Sequence, residues 1–120
     1  MAGDEKRRSE RVIPFVSEEE VVVIRPDGGT NVLGKLMDLS EVGALIYLLD
    51  DADLPCVAGS PCLLSMYHEG KVFELPTTLA RKNGRLLAFE FTNTPAEVLR
   101  DVHAKLIRME VEWMRIKRLG

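Results

Sequence analysis

Short apolar runs separated by turn residues fill the middle of the chain. Between residues 19 and 92, runs rich in Val, Leu, Ile and Phe alternate with turn segments, a pattern typical of a compact antiparallel sheet. We predict six strands, at residues 21–25, 32–37, 44–49, 63–67, 72–80 and 86–91. An open sheet of six short strands would leave exposed edges, and closure into a small barrel removes them. The pattern therefore predicts a mainly β protein built on a barrel.

Three turn sequences divide these strands into hairpins. Asp27-Gly28-Gly29 separates the first two strands, and Glu69-Gly70 separates the fourth from the fifth. Asn83-Gly84 stands between the fifth and sixth strands and is the strongest local signal, because both central residues of a type I′ turn have positive φ. We predict a type I′ hairpin with Asn83 and Gly84 at its centre.

A helix is predicted after the last strand. Thr94, Pro95 and Glu97 suit the N-cap, the first helical position and a capping box. Apolar side chains then follow at alternating spacings of three and four, which places them on one narrow stripe: Leu99, Val102, Leu106, Met109, Trp113 and Ile116. We predict that the first half of this stripe covers the barrel. For the half that contains Trp113, packing on the barrel and pairing with a second subunit or another protein both remain open.

Composition limits the class of protein. With 120 residues and 46% hydrophobic residues, the chain suits one globular domain with a substantial core. Its net charge of −3 argues against a general nucleic-acid binder, so any basic site is local. No apolar run approaches the roughly 20 residues of a membrane helix, so no direct membrane insertion is expected. With only Cys56 and Cys62, and with no apolar leader, we expect a protein of the reducing cytoplasm.

Residues typical of catalytic and metal sites are few. His68 and His103 have no nucleophile or base spaced nearby, and the two histidines and two cysteines show no zinc spacing. The acidic loop with Asp50, Asp51 and Asp53 lacks the glycine and distal glutamate of a calcium loop. We therefore predict neither an enzyme nor a metal site.

Two short segments carry the candidate chemistry. The first is the basic stretch from Lys6 to Arg11, within a polar arm at residues 1–18 that is predicted to be mobile. Arginine binds phosphate bidentately and stacks on a base, so Arg7 and Arg11 suit both parts of a nucleotide. The spacing alone is not specific, since Arg81 and Arg85 show it around a turn.

The second segment is the bend from Asp38 to Gly43. The Asp38 carboxylate can accept hydrogen bonds from a guanine edge, the Ser40 hydroxyl can bond a phosphate or hold the turn, and Gly43 leaves the backbone unobstructed. Taken alone, this segment suits a simple turn between two strands. Together, the two segments indicate a nucleotide-phosphate site.

Both segments resemble the signature of the PilZ family. That signature is R-x-x-x-R followed twenty to thirty residues later by [D/N]-x-S-x-x-G, and Arg7, Arg11, Asp38, Ser40 and Gly43 match it. The resemblance covers roughly residues 6–116 and implies a split, six-stranded antiparallel barrel with a C-terminal helix. The chain then divides into an arm at 1–18, a barrel at 19–92 and a helix at 94–118, within one domain.

The resemblance also implies a function. It implies a receptor for cyclic di-GMP with no cofactor, in which the two motif arginines bind guanines and phosphates, and Asp38 and Ser40 bind guanine edges. In some members a basic residue just before the first motif arginine accompanies a stacked ligand dimer. Lys6 holds that position and Arg8 is also near, so one or two ligands per chain stay open.

The expected output is contact with an unidentified partner protein, by a monomer or a helix-mediated homodimer. Motility, biofilm formation and exopolysaccharide control all remain open as its outcome. The alternatives are a ligand-independent PilZ-like adaptor and a small barrel that binds single-stranded nucleic acid.

Overall fold

The computed structural model describes residues 17–50, 54 and 56–119. A 3₁₀ turn at Glu18–Glu20 precedes six strands and one helix. The elements are β1 (Val21–Pro26), β2 (Val32–Leu39), β3 (Gly43–Leu48), β4 (Pro61–His68), β5 (Lys71–Asn83), β6 (Leu86–Phe91) and α1 (Ala96–Leu119).

The six strands close into one antiparallel barrel in the order β1-β2-β3-β6-β5-β4. Pairing of β1 with β4, in which Val23 lies opposite Ser65, completes the ring. The predicted fold class, a six-stranded antiparallel barrel with a C-terminal helix, is confirmed. Closure leaves each strand with two paired neighbours, so no strand of the barrel presents a free edge.

The barrel core follows from side-chain alternation along the strands. In β1, for example, Val22 and Ile24 are buried, while Arg25 points outward and is exposed. The fully buried apolar side chains come from every strand except β2 and from the helix: Val22, Ile24, Ile46, Leu64, Leu75, Leu79, Leu87 and Val102. Strand β2 contributes Leu36 and Leu39, which are 5% and 3% exposed. One continuous core therefore joins the barrel and α1.

The hairpin between β5 and β6 differs from the prediction by one residue. Asn83 remains in β5 and pairs with Leu86, so Gly84 and Arg85 form the two-residue connection. The positive φ of 63° lies at Gly84. Glycine at the first central position is the requirement of a type II′ turn, so the predicted I′ hairpin centred on Asn83 and Gly84 is wrong.

Helix α1 lies across one end of the barrel. At this end β1, β3 and β5 begin and β2, β4 and β6 finish, because neighbouring strands are antiparallel. The helix contacts residues there through ion pairs from Asp101 to Lys71 at 3.0 Å and from Arg108 to Glu69 at 2.6 Å. No helix in the described part of the chain is both long and apolar enough to span a bilayer.

Only part of the apolar stripe of α1 packs against the barrel. Val102 is buried in the barrel core, and Leu106 and Met109 are partly buried against it. Trp113 and Ile116 are 61% and 59% exposed. The lid predicted for the first half is confirmed, whereas the second half extends past the barrel.

A lysine anchors the helix to the barrel end. Lys105 is 1% exposed, and its ammonium group donates hydrogen bonds to the main-chain oxygens of Glu19 and Tyr67. It also donates to Glu19 Oε1 at 3.1 Å. Three acceptors for three N–H donors satisfy the buried charge, so this side chain fixes α1 to the start of β1 and the end of β4.

Glu19 forms the centre of the polar cluster around that lysine. Its Oε2 accepts from the Glu69 N–H at 2.9 Å, and its Oε1 lies 3.1 Å from His68 Nδ1. Burial alone would raise the pKa of the carboxyl, but hydrogen bonds from Glu69, His68 and Lys105 outweigh it and lower the pKa of Glu19 to about 2. The Glu19 carboxylate therefore stays ionised in the folded protein at pH values well below 4.5, the ordinary pKa of a glutamate side chain.

We expect this cluster to make stability depend on pH in acid. Between pH 4.5 and about 2 the unfolded chain binds a proton at Glu19 that the folded chain does not, so stabilisation present above pH 4.5 is lost as pH falls. Urea unfolding across this window should show a weaker pH dependence for Glu19→Gln than for the natural protein. Glu18→Gln, at the exposed neighbouring position, is the control and should keep the natural slope. Equal slopes for all three proteins would contradict the role assigned to Glu19.

Candidate functional site

The residues predicted to bind ligand fall into two groups. Lys6, Arg7, Arg8 and Arg11 lie outside the described residues. Asp38, Ser40 and Gly43 lie at the end of β2, in the following bend and at the start of β3. The structure therefore describes the barrel side of the predicted site.

A β-bulge turns Asp38 outward. Leu36 pairs with Ile46 and Asp38 pairs with Leu45, so Met37 is an extra residue in β2. Met37 and Asp38 are both exposed in consequence, while Leu36 and Leu39 on either side are buried. Asp38 Oδ1 accepts from the Leu39 N–H at 3.0 Å, which holds the carboxylate beside the chain.

Ser40 shapes the bend between β2 and β3. Its Oγ accepts from the N–H groups of Val42 and Gly43 at 3.2 and 3.1 Å, and its own N–H donates to the Gly43 carbonyl at 2.9 Å. These bonds form a closed serine turn, as the simpler interpretation of the sequence predicted. The Ser40 hydroxyl hydrogen lies at the exposed surface and can donate to the Gly43 carbonyl, 3.3 Å away, or to a ligand.

Gly43 is required by strand packing. A Cβ atom at this position would lie 2.4 Å from the carbonyl oxygen of Phe89 on β6. Backbone cannot move aside as a flexible side chain does, so any larger residue would push β3 away from β6. The glycine thus sets the close approach of the two strands directly beneath the Ser40 turn.

A second bulge brings Arg81 to the same surface. Leu79 pairs with Phe89 and Arg81 pairs with Ala88, so Ala80 is the extra residue of β5. Across the barrel wall the register then runs from Asp38 to Leu45, from Leu45 to Ala88 and from Ala88 to Arg81. These four residues form one row on the outer face, which we call the outer row.

A shallow cavity of about 480 Å³ lies over this row. Its lining side chains are small or apolar in the middle and charged at the margins: Asp38, Leu39, Ser40, Val42, Gly43, Ala44, Leu45, Ala80, Arg81, Ala88, Phe89 and Glu90. Alanines and a glycine leave room above the sheet that larger residues would fill. Its size is within the range of small-molecule sites.

The side chains that line this cavity do not carry enough positive charge to neutralise an anionic ligand. Asp38 and Glu90 are acidic, and Arg81 is the basic residue among its lining side chains. Within the described residues Arg81 makes no hydrogen bond or ion pair, so its five N–H donors are available. The sequence prediction set Arg81 aside as a turn residue, and only the register across four strands shows that it lies on the same row as Asp38.

A larger groove of about 780 Å³ lies between β2 and the helix, and we call it the helix groove. It is lined by Ser17, Glu19, Glu20, Leu36, Met37, Asp38, Leu39, Leu106, Arg108, Met109, Glu110, Glu112, Trp113 and Ile116. Five of these are carboxylates and one is an arginine. An anionic ligand would be repelled there, so the smaller cavity over the outer row is the better candidate for a nucleotide.

Both histidines lie beside carboxylates, and the Cys62 thiol is buried. His68 bonds Glu19, whereas His103 Nε2 lies 3.2 Å from Glu41 Oε2 but makes no hydrogen bond to a described residue. Burial, together with the neighbouring thiol of Cys56, raises the pKa of Cys62 to about 12, so it is a protonated thiol rather than a nucleophile. Among the described residues, no three His, Cys, Asp or Glu side chains gather in a way that could hold a metal ion.

Gly43→Ala tests whether this motif glycine serves packing. We expect the free energy of unfolding to fall by about 2 kcal/mol, because the new methyl group overlaps the Phe89 carbonyl. Urea denaturation measures the change, and Val42→Ala at the exposed neighbouring position is the control, with an expected change within about 0.5 kcal/mol. A Gly43→Ala protein of natural stability would contradict the packing role.

Comparison with known proteins gives a family. The model of the PilZ domain family matches residues 5–108, a range that includes Arg7, Arg11, Asp38, Ser40 and Gly43. The crystal structure of the PilZ domain of CeSA from a cellulose-synthesizing bacterium is similar with a TM-score of 0.62 and 23% identity, over 75% of this chain and 91% of that chain. At that identity the likeness shows a common fold alone. No curated protein is significantly similar in sequence. Because the family match spans most of its length, the chain belongs to the PilZ domain family.

Proposed function

We propose that this protein is a receptor for cyclic di-GMP and binds it over the outer row. The observation that supports this most directly is the register that places Asp38 and Arg81 at opposite ends of one row, with Leu45 and Ala88 between them. The row provides an acceptor for a guanine edge, a flat apolar floor and a donor for phosphate.

The dimensions of the row suit a flat dinucleotide. Adjacent strands lie about 4.8 Å apart, so three steps from β2 to β5 span roughly 14 Å. The Asp38 carboxylate accepts from the N1 and N2 hydrogens of one guanine. The Arg81 guanidinium, at the far end, bonds a phosphate oxygen, and the apolar floor excludes water beneath the ring.

The remaining positive charge comes from the arm. Cyclic di-GMP carries two phosphate charges, and the lining of the described wall supplies only Arg81 against Asp38 and Glu90. Arg7 and Arg11 supply the missing charge. The six peptide steps between Arg11 and Ser17 reach about 20 Å, which is enough because Ser17 and Asp38 line the same groove.

Binding of this kind makes the protein a receptor rather than an enzyme, and its output is contact with a partner protein. Supporting this, Ile107, Val111 and Met114 are exposed on α1 at spacings of four and three. That spacing places them on one face of the helix, as in a helix that docks on another protein. Arm closure over the nucleotide would change the surface beside this face.

Calorimetric titration with cyclic di-GMP tests the proposal. We expect binding to the natural protein and none to GTP as the control ligand. Arg11→Ala and Asp38→Ala should each weaken affinity by more than about tenfold, since a charged hydrogen bond contributes about 1.5–3 kcal/mol. Arg100→Ala, an exposed helix arginine, is the matched control. Unchanged affinity in both site variants would refute the assignment.

Arg81→Ala tests the far end of the row separately. Loss of a charge-assisted phosphate bond should weaken cyclic di-GMP binding by about tenfold or more. Stability should remain within about 0.5 kcal/mol, because the side chain is exposed. Arg81→Lys keeps the charge but loses the planar fork, and should recover only part of the affinity. Natural affinity in Arg81→Ala would confine the site to the β2–β3 corner.

A further inference from the structure

We infer that the helix groove is a docking site for residues 12–16 of the chain's own arm, occupied when no nucleotide is bound. The groove needs an apolar occupant. Leu106, Met109, Trp113 and Ile116 line it on the helix side, and the last two are more than half exposed in the described structure. Residues 12–16 read Val-Ile-Pro-Phe-Val, which provides four apolar side chains around one proline.

Chain continuity favours this occupant. Ser17, the first described residue, lines the groove, so the segment that precedes it starts at the groove itself. Five extended residues cover about 17 Å, whereas the helix rises about 15 Å from Leu106 to Ile116. The segment is therefore long enough to follow the whole apolar floor. Its local concentration is high because it is covalently attached.

Charge complementarity favours the same occupant over a second copy of the chain. The groove carries five carboxylates against Arg108, and Glu110 makes no ion pair or hydrogen bond within the described residues. The basic stretch from Lys6 to Arg11 directly precedes the apolar segment. A two-fold dimer through this groove would instead bring two acidic rims together.

Docking in the groove competes with the nucleotide, a step that rests on the proposed function. Asp38 lines both the helix groove and the cavity over the outer row. An arm extended along the groove carries Arg11 toward Ile116, on the helix side of Asp38 and away from Arg81. Cyclic di-GMP must therefore draw the arm out of the groove, and the exposure of Trp113 reports that movement.

The experiment uses Trp113, the single tryptophan of the chain, as its probe. In the protein without nucleotide, Phe15→Ser should shift the emission maximum of Trp113 to longer wavelength and increase its quenching by acrylamide. Val57→Ser, an exposed apolar residue that does not line the groove, is the matched control and should change neither quantity. An emission typical of exposed indole that Phe15→Ser leaves unchanged would overturn the docking. So would an emission that depends on protein concentration but not on Phe15, which would identify a second copy as the occupant.

Addition of cyclic di-GMP to the natural protein should produce the same shift as Phe15→Ser. Calorimetric binding without that shift would overturn the release of the arm. Absence of binding would overturn the proposed function and the release together, while the comparison of Phe15→Ser with Val57→Ser would still decide the docking itself.

Discussion

The geometry of the candidate site depends on the conflict between strand alternation and the sequences Leu36-Met37-Asp38-Leu39 and Leu79-Ala80-Arg81. In a regular strand, Asp38 would follow Leu36 into the core, and Arg81 would follow Leu79. Burying either charge without a partner costs several kcal/mol. One extra residue in each strand removes the conflict, because Met37 and Ala80 shift the alternation by one and turn both charges outward. The barrel register then places the two on one row, so the requirement that keeps the core apolar also builds the candidate site.

Much of the architecture was accessible from the sequence because its causes are local. Apolar runs, glycine turns and the stripe on α1 predicted the six strands and the helix, and closure followed from the need to pair edges. The bulges and the position of Arg81 were not accessible, since they depend on register between strands distant in the chain. The hairpin at Asn83-Gly84 shows the same limit on a smaller scale. Its sequence suits two turn types, and pairing of Asn83 with Leu86 selects between them.

Lys105 shows why a stripe of apolar residues underestimates the contacts of a helix. A hydrophobicity pattern counts lysine as polar and assigns it to solvent, yet this side chain is among the most buried in the protein. Its partners, the main-chain oxygens of Glu19 and Tyr67, lie 86 and 38 residues away in sequence, so no local signal indicates them. Because Glu19 lies just after Ser17, the same cluster that holds the helix also fixes where the arm leaves the barrel. The position of α1 and the origin of the arm are thus set by one group of hydrogen bonds.

This shared anchor limits how a nucleotide could act on a partner. A ligand shifts a conformational equilibrium only by the difference between its affinities for the two states. Movement of the whole helix would be costly, because its first half is held by Val102 in the core and by Lys105 at the barrel end. What can differ between states at lower cost is the covering of the helix groove, whose most exposed apolar residues, Trp113 and Ile116, lie beyond the anchored half. In the proposed mechanism, competition for the segment between Arg11 and Ser17 would couple the outer row to the exposed end of α1 without any repacking of the barrel. The differential affinity required would be only that of one short segment for one groove.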